Sequence, residues 1–405
     1  MTQQTTLEYS KEQNEAIGLI TEWYNYNEEK PFILGGYAGT GKTTLVSTIQ
    51  RIFPRMVKIA YISYTGKASH VLRVKLKSTN SLRPVDYCGT IHSLIYKPKV
   101  EESSGNIISW DLKTKDEVEY DLLVVDEASM IGSDIYKDLK SYEIPILAVG
   151  DCFQLPPIEG TLNLMENPDF MLREIHRQSE GNPIIKLSMD IRSNGVIPPG
   201  MYGEKVAKVV GSKNKAVNNF LRNTNNFDTT LLLCGFNATR VKMNNYIREN
   251  LLKRTTSDPQ KGDRVVCLKN NHFAMDTVIY NGSCGRIRYI SDHGCYYEIE
   301  VAIDETPEVY HGPIDKTCFG NSSPEMNPTK VNRAVISASS LNVYAAKLDY
   351  FDYGYCLSVH KAQGSQANRV MVLEERSSYW DDEYWARWLY TAITRAQNQL
   401  LIVAR

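Results

Sequence analysis

Cysteine is used sparingly and without pattern. The eight cysteines include no Cys-x-x-Cys pair, so neither a zinc cluster nor a disulfide framework is indicated, and a reducing, cytosolic setting is expected. No run approaches the roughly 18 to 20 apolar residues that cross a bilayer. Residues 1–10 lack the apolar core of a secretory signal, and no membrane partner is expected. An excess of one charge is also missing. Lysine and arginine number 46 against 47 aspartates and glutamates, a net charge of −1. That disfavours a protein that coats nucleic acid by charge alone, but leaves room for a strand gripped in a channel by local charge and hydrogen bonds. No internal repeat or low-complexity tract interrupts the 405 residues, enough chain for roughly two to four domains.

What is present is a phosphate-binding loop, Gly36-Tyr37-Ala38-Gly39-Thr40-Gly41-Lys42-Thr43. It follows an apolar run at 31–35 and leads into a helical pattern, the context such a loop requires. The glycines let backbone amides face phosphate oxygens, Lys42 reaches the outer phosphates, and Thr43 can ligate magnesium. Apolar, β-branched runs at 31–34, 57–62, 122–125 and 144–149 alternate with helical patterns at 11–23, 42–52 and 67–76. That alternation predicts a parallel sheet with helices on its faces. It recurs with strands at 230–234, 369–373 and 399–404 and helices at 237–252 and 383–395, implying a second α/β domain. Between 261 and 343, short strand candidates separated by glycine turns predict a small β-barrel insertion. A smaller insertion, 93–120, reads as a hairpin with a strand at 107–112 returning at 117–120.

Asp126-Glu127 closes the run at 122–125. An acidic pair there suits phosphoryl transfer, with Asp126 on the magnesium that Thr43 also touches and Glu127 polarising the attacking water; the plainer alternative is a solvated carboxylate pair at a strand end. Gly150-Asp151-Cys152-Phe153-Gln154-Leu155-Pro156-Pro157 ends the run at 144–149, and Gln154 can sense a terminal phosphate on a loop stiffened by two prolines.

Together these segments resemble motifs I, II and III of superfamily 1 helicases. Tyr64 to Ser69 resembles motif Ia, departing from the Dda-like pattern at Tyr64 and Gly66. Thr90-Ile91-His92-Ser93-Leu94 resembles an element typical of the RecD-like, Dda-like branch. Glu174-Ile175-His176-Arg177-Gln178 resembles motif IV, residues 357–366 resemble motif V, and residues 388–396 resemble motif VI. The resemblance runs from Gln13 to Val403. It implies two RecA-like domains, 1–92 with 119–165 and 166–260 with 344–405, a pin at 93–118 and an SH3-like barrel at 261–343. It further implies an ATP- and magnesium-dependent DNA helicase, moving 5′ to 3′ on single-stranded DNA in replication, recombination or repair. Its partners would be single strands, forks and a replisome single-stranded-DNA-binding protein. The compact size resembles phage members of the branch, implying a monomer in the host cytoplasm. An RNA helicase of the same superfamily, or a nucleotide-gated strand clamp without unwinding, are the alternatives.

Residue roles follow from the same resemblance. Arg177 and Arg395 would act as arginine fingers, worth roughly 10³ to 10⁵ in rate. Gly39, Thr40, Gly41, Lys42, Thr43, Thr44 and Gln363 would hold nucleotide. Gln13 would read adenine, although Ser10-Lys11-Glu12-Gln13 is equally a capping box. Thr65, Thr90, His92, Ser358 and His360 would contact the strand; His92 could instead be a packing histidine. Trp110 would be the wedge of the pin or, alternatively, its anchor, with Ile108 second. Asn237, Arg240, Asn244 and Arg248 share a helical face, read here as a solvated face with Asn237 as N-cap.

Overall fold

The computed structural model describes residues 9–404 apart from 27, 101–106, 158–161, 176–180, 223–226, 270–278, 280, 305–308, 327–329 and 338–339. The chain divides into two units, Met1–Asn194 with Ala386–Tyr390, and Gly195–Trp385 with Thr391–Arg405.

The first unit opens with α1 (Lys11–Asn25). Ser10 accepts from the Gln13 amide while Gln13 Oε1 accepts from the Ser10 amide, so the capping box is formed. Ala16, Ile20 and Trp23 then fall on one buried face. There follow β1 (Phe32–Gly36), α2 (Lys42–Val46), α3 (Ile49–Ile52), β2 (Ile59–Ser63), α4 (Gly66–Ser78), β3 (Tyr87–Thr90) and α5 (Ile91–Ile95). Next come β4 (Tyr96–Val100), β5 (Ile107–Leu112), β6 (Leu122–Asp126), α6 (Ser133–Lys140), β7 (Ile146–Gly150), β8 (Phe170–Leu172) and α7 (Pro183–Asn194). The sheet order is β3-β2-β6-β7-β1-β8, parallel throughout. Successive residues face opposite sides. Leu34, Tyr61, Val124 and Val149 pack with α1 to α4 on one face, and Ile33, Ile62, Val125 and Ala148 with α5 and α6 on the other. Burial on both faces is why these strands read as unbroken apolar runs.

Two expectations change here. Residues 166–194, expected in the second domain, cluster with the first, because β8 pairs with β1. The hairpin pairs β5 with the upstream β4, Trp110 opposite Pro98, instead of with 117–120; Lys115–Glu117 is a short 3₁₀ turn.

The second unit contains β9 (Gly200–Gly203), β10 (Val206–Val210), α8 (Lys213–Leu221), β11 (Thr230–Cys234) and α9 (Asn237–Tyr246), the last continued by a π-helical turn at Ile247–Leu251. The insertion follows as β12 (Arg264–Cys267), β13 (Cys284–Asp292), β14 (Tyr296–Ile303), β15 (Val309–Asp315), a hairpin of β16 (Lys330–Ser337) and β17 (Ser340–Lys347), and β18 (Phe351–Tyr353). The chain ends with β19 (Cys356–Ser358), β20 (Ala367–Leu373), α10 (Asp382–Ile393) and β21 (Ala396–Ala404). The second RecA-like sheet runs β19-β11-β20-β21-β10-β9, with only β9 antiparallel. The insertion is a five-stranded antiparallel sheet, β15-β14-β13-β12-β18. A bridge from Ile314 to Asp349 ties its two edges together. It extends to Tyr353, ten residues beyond the expected end at 343, because β18 pairs with β12.

The polar face of α9 is the largest departure. Arg240, Asn244 and Arg248 are each no more than 2% exposed, so the face is not solvated. The N-cap is Phe236, without a side-chain cap, and Asn237 is the first helical residue. Arg240 pairs with Asp352, Asn244 binds the Tyr353 and Cys356 carbonyls, and Arg248 pairs with Asp263. All these partners border the insertion, so this face is what seats it.

Candidate nucleotide site and strand-contact residues

In the first unit the loops after β1, β6 and β7 leave the same carboxyl edge of neighbouring parallel strands, where open α/β sheets bind ligands. Gly39 and Gly41 have φ of 84° and 78°, a left-handed region that glycine enters freely. Gly41 is the N-cap of α2. Thr40 is buried with its hydroxyl on the Tyr37 carbonyl, while Thr43 and Thr44 stay half-buried in the first turn of α2. Lys42 Nζ donates to the Gly36 and Tyr37 carbonyls at 2.9 Å each and lies 3.9 Å from Asp151. The Arg192 guanidinium lies 3.4 Å above the Tyr37 ring.

The loops after β6 and β7 are packed together. A Cβ on Gly150 would come within 3.1 Å of the Ser129 amide and 3.2 Å of the Ala128 amide, so a side chain there would press the acidic turn away from β7. Asp126 is 9% exposed and accepts from the Glu127 amide at 3.0 Å. Burial, then the neighbouring Glu127 charge, raises its carboxyl to about 7. Glu127 itself sits at φ 55°, ψ 42°, a conformation that costs a non-glycine residue of order 1–3 kcal/mol. Its Oε2 is buried and has no hydrogen-bond partner, as does Gln154 Oε1. Two strained or unsatisfied acceptors beside a phosphate-binding loop mark a site arranged for something it does not itself supply.

A divalent cation fits these residues. Thr43 offers a hydroxyl, and a cation would favour the ionised Asp126 that burial now disfavours. Sequence reasoning did not single out Asp151 or Tyr390. Tyr390 accepts from the Ala38 amide at 2.9 Å and donates to Asp151 Oδ2 at 2.7 Å; Asp151 could have been found from its place between Gly150 and Gln154. Gln13 is 1% exposed and engaged in its cap. Arg177 lies outside the described residues.

Among the strand-contact residues, Thr65 and Thr90 are N-caps of α4 and α5, accepting from the Ala68 and Ser93 amides. His92 sits between Tyr64 and Tyr96, with ring centroids 5.8 and 5.6 Å away, and burial lowers its pKa; a packing role is therefore evident. Trp110 lies in β5, and residues 101–106, between β4 and β5 in sequence, lie outside the described residues.

In the second unit, Ser358 is 8% exposed and accepts from the Lys361 amide. His360 Nε2 is 2.8 Å from the Tyr384 hydroxyl. Gln363 is buried, and so is Arg395, at 3%. The Arg395 guanidinium binds the Thr391 and Ser365 carbonyls and the Thr394 hydroxyl.

A glycine loop with its lysine, an acidic pair and Gln154 on one sheet edge have the layout of a P-loop nucleotide-binding site. Residues 21–159 match the AAA domain family, and residues 353–403 the UvrD-like helicase C-terminal domain. The ATP-dependent RecD2 DNA helicase of Deinococcus radiodurans is 24% identical over 388 residues, 91% of this chain and 46% of the relative. The ATP-dependent DNA helicase Pif1 of Campylobacter jejuni is 25% identical over 241 residues, covering 55% of this chain and 51% of the relative. The chain thus spans about half the length of these curated relatives. A crystal structure of Pif1 helicase from Bacteroides in complex with ADP-AlF3 and ssDNA superposes with a TM-score of 0.57 at 15% identity, covering 99% of this chain and 93% of that one; it shares the fold. These matches support a superfamily 1 helicase of the RecD and Pif1 type.

Proposed function

We propose that this protein is an ATP-dependent motor that moves 5′ to 3′ along single-stranded DNA and separates duplex ahead of it. The observation that carries the proposal is Glu127, held in a left-handed conformation at the end of β6 with a buried, unpartnered carboxylate oxygen. A base for the attacking water must be positioned yet unoccupied, and the structural cost of holding it so argues against a module that merely binds nucleotide.

In this reading the amides of Gly39, Gly41, Thr43 and Thr44 take the phosphates, with Thr40 shaping the turn. Lys42 exchanges its two carbonyl contacts for phosphate oxygens. Thr43 and Asp126 would hold magnesium, which would offset phosphate charge; Gln154 senses the terminal phosphate, and Gln13 and Gln363 line the nucleotide. Arg177 and Arg395 stabilise the transferring phosphoryl group. Arg395 must first leave its internal acceptors, which makes it a conditional contributor. Thr65, Thr90, His92, Ser358 and His360 follow the strand, and the five-stranded insertion serves as the SH3-like module of the branch. The motor acts as a monomer beside a single-stranded-DNA-binding protein.

Forks carrying only a 5′ or only a 3′ tail test this directly. Separation on the 5′ fork, abolished by Lys42→Ala, is expected. Separation on the 3′ fork alone would overturn the direction, strand binding without separation would leave a clamp, and stronger ATPase stimulation by RNA would reassign the substrate.

A further inference from the structure

Three loops leave the carboxyl ends of adjacent parallel strands in the second unit, at 235–236 after β11, 359–362 after β19 and 374–381 after β20. Together with the first turn of α10 they deliver four rings to one row. Phe236 stacks on Trp380 with centroids 5.6 Å apart and planes inclined by 25°. Trp380 meets Tyr384 at 5.4 Å. Tyr384 lies against His360 at 6.4 Å and 29°, and their hydrogen bond locks the pair. This is not core. Phe236 is 37% exposed, whereas Trp385, one residue after Tyr384, is 7% exposed; Trp380 and Tyr384 are only half-buried.

The row is held in place from behind. The Glu375 carboxylate accepts from the Gly235 amide at 2.9 Å, the Phe236 amide at 3.3 Å, the Thr239 hydroxyl at 2.6 Å and Lys213 Nζ at 2.6 Å. Those four donors fix the turn that presents Phe236. A side chain on Gly235 would crowd Glu375 Cβ at 3.1 Å and touch Trp380 Cη2 at 3.4 Å, so Gly235 packs directly between the Glu375 anchor and the ring. The nearby acids are engaged by the fold as well: Asp381 accepts from the Tyr384 amide at 2.7 Å, and Asp382 pairs with Arg376.

We infer that this row is a stacking platform for the bases of single-stranded DNA. The inference rests on the strand-translocating reading above and adds to it Phe236, Trp380 and Tyr384, which with His360 hold bases by their faces. Aromatic faces accept any base, which suits a motor that must pass every sequence, and they need little net charge, which suits this chain. The row ends on His360, already a candidate for strand contact, and lies at the carboxyl edge where α/β sheets take ligands.

The test compares a 12-residue oligothymidine with an abasic strand of the same length and phosphate number, at one fixed salt concentration, using the full chain. The wild type is expected to prefer the base-bearing strand and to show quenched tryptophan fluorescence on binding. Trp380→Ala and Phe236→Ala should each weaken oligothymidine binding by roughly 10-fold, leave abasic binding unchanged and retain the wild-type melting temperature, while Trp380→Phe restores the preference. An unchanged preference in both alanine variants, or an equal loss on both strands, would overturn the platform. A wild type that binds neither strand and shows no DNA-stimulated ATPase would overturn the motor reading together with it, so the two failures are distinguishable.

Discussion

Arg248 and Asp263 form a buried ion pair, Nη2 to Oδ2 at 3.1 Å, with the guanidinium 4.0 Å above the ring of Tyr353. The side chains are 3% and 0% exposed. Tyr355 donates to Asp263 Oδ1 at 2.8 Å, and Arg248 also reaches the Asp258 carbonyl at 2.7 Å. Removing one partner leaves a buried charge uncompensated, at a cost of about 3–5 kcal/mol. Asp263→Ala should therefore lower the stability of the second unit by that amount in urea unfolding, while the first unit's transition stays in place. A loss below about 1 kcal/mol would show that water reaches the pair.

Glu127→Gln keeps the side chain's size and the backbone's left-handed turn but removes the base. ATP hydrolysis should fall by about 10² to 10⁴, with nucleotide affinity retained in equilibrium binding. A fall in affinity matching the fall in rate would mean that Glu127 holds nucleotide instead of activating water.

Asp126 sets a pH dependence whose sign follows from its raised pKa of about 7. Between the ordinary carboxylate range and pH 7 the folded state keeps a proton that the unfolded state has released, so stability falls as pH rises through that window. Without magnesium the melting temperature should drop from pH 5 to pH 8, and Asp126→Asn should flatten the drop. Magnesium should oppose the drop above pH 7 in the wild type only. A wild-type profile identical to that of Asp126→Asn would contradict the assignment.

Thr65 and Thr90 carry two roles that one substitution confounds. Each caps a helix, so alanine should cost about 1 kcal/mol of stability whatever the residue does to DNA. Thr65→Asn restores the cap. If Thr65→Asn recovers the melting temperature but not strand affinity, the hydroxyl contacts the strand; recovery of both assigns it to the helix alone.

The phosphate loop, the acidic pair and the central strands were legible because they are local. β1, β2, β6 and β7 are buried on both faces, which writes them as continuous apolar runs, and the chemistry sits at their ends. What escaped is what depends on distant partners. β4 contains Pro98 between two lysines and does not look like a strand until β5 pairs with it. β8 is a three-residue edge, too short to carry a period. The face with Arg240, Asn244 and Arg248 is polar in sequence, yet buried, because Asp263 and Asp352 arrive from the far ends of the insertion. Trp380 lies in a loop whose neighbours give no sign that Phe236 will stack on it.

Glu375 has a consequence for how the protein meets salt. The Gly235 and Phe236 amides just ahead of α9, and the ammonium of Lys213, are already occupied by an anion that belongs to the chain. A nucleic-acid phosphate gains little there, since it would have to displace a carboxylate held by four donors. Fewer phosphates neutralised means fewer counterions released. Any grip on a strand at this edge should accordingly weaken only shallowly as ionic strength rises.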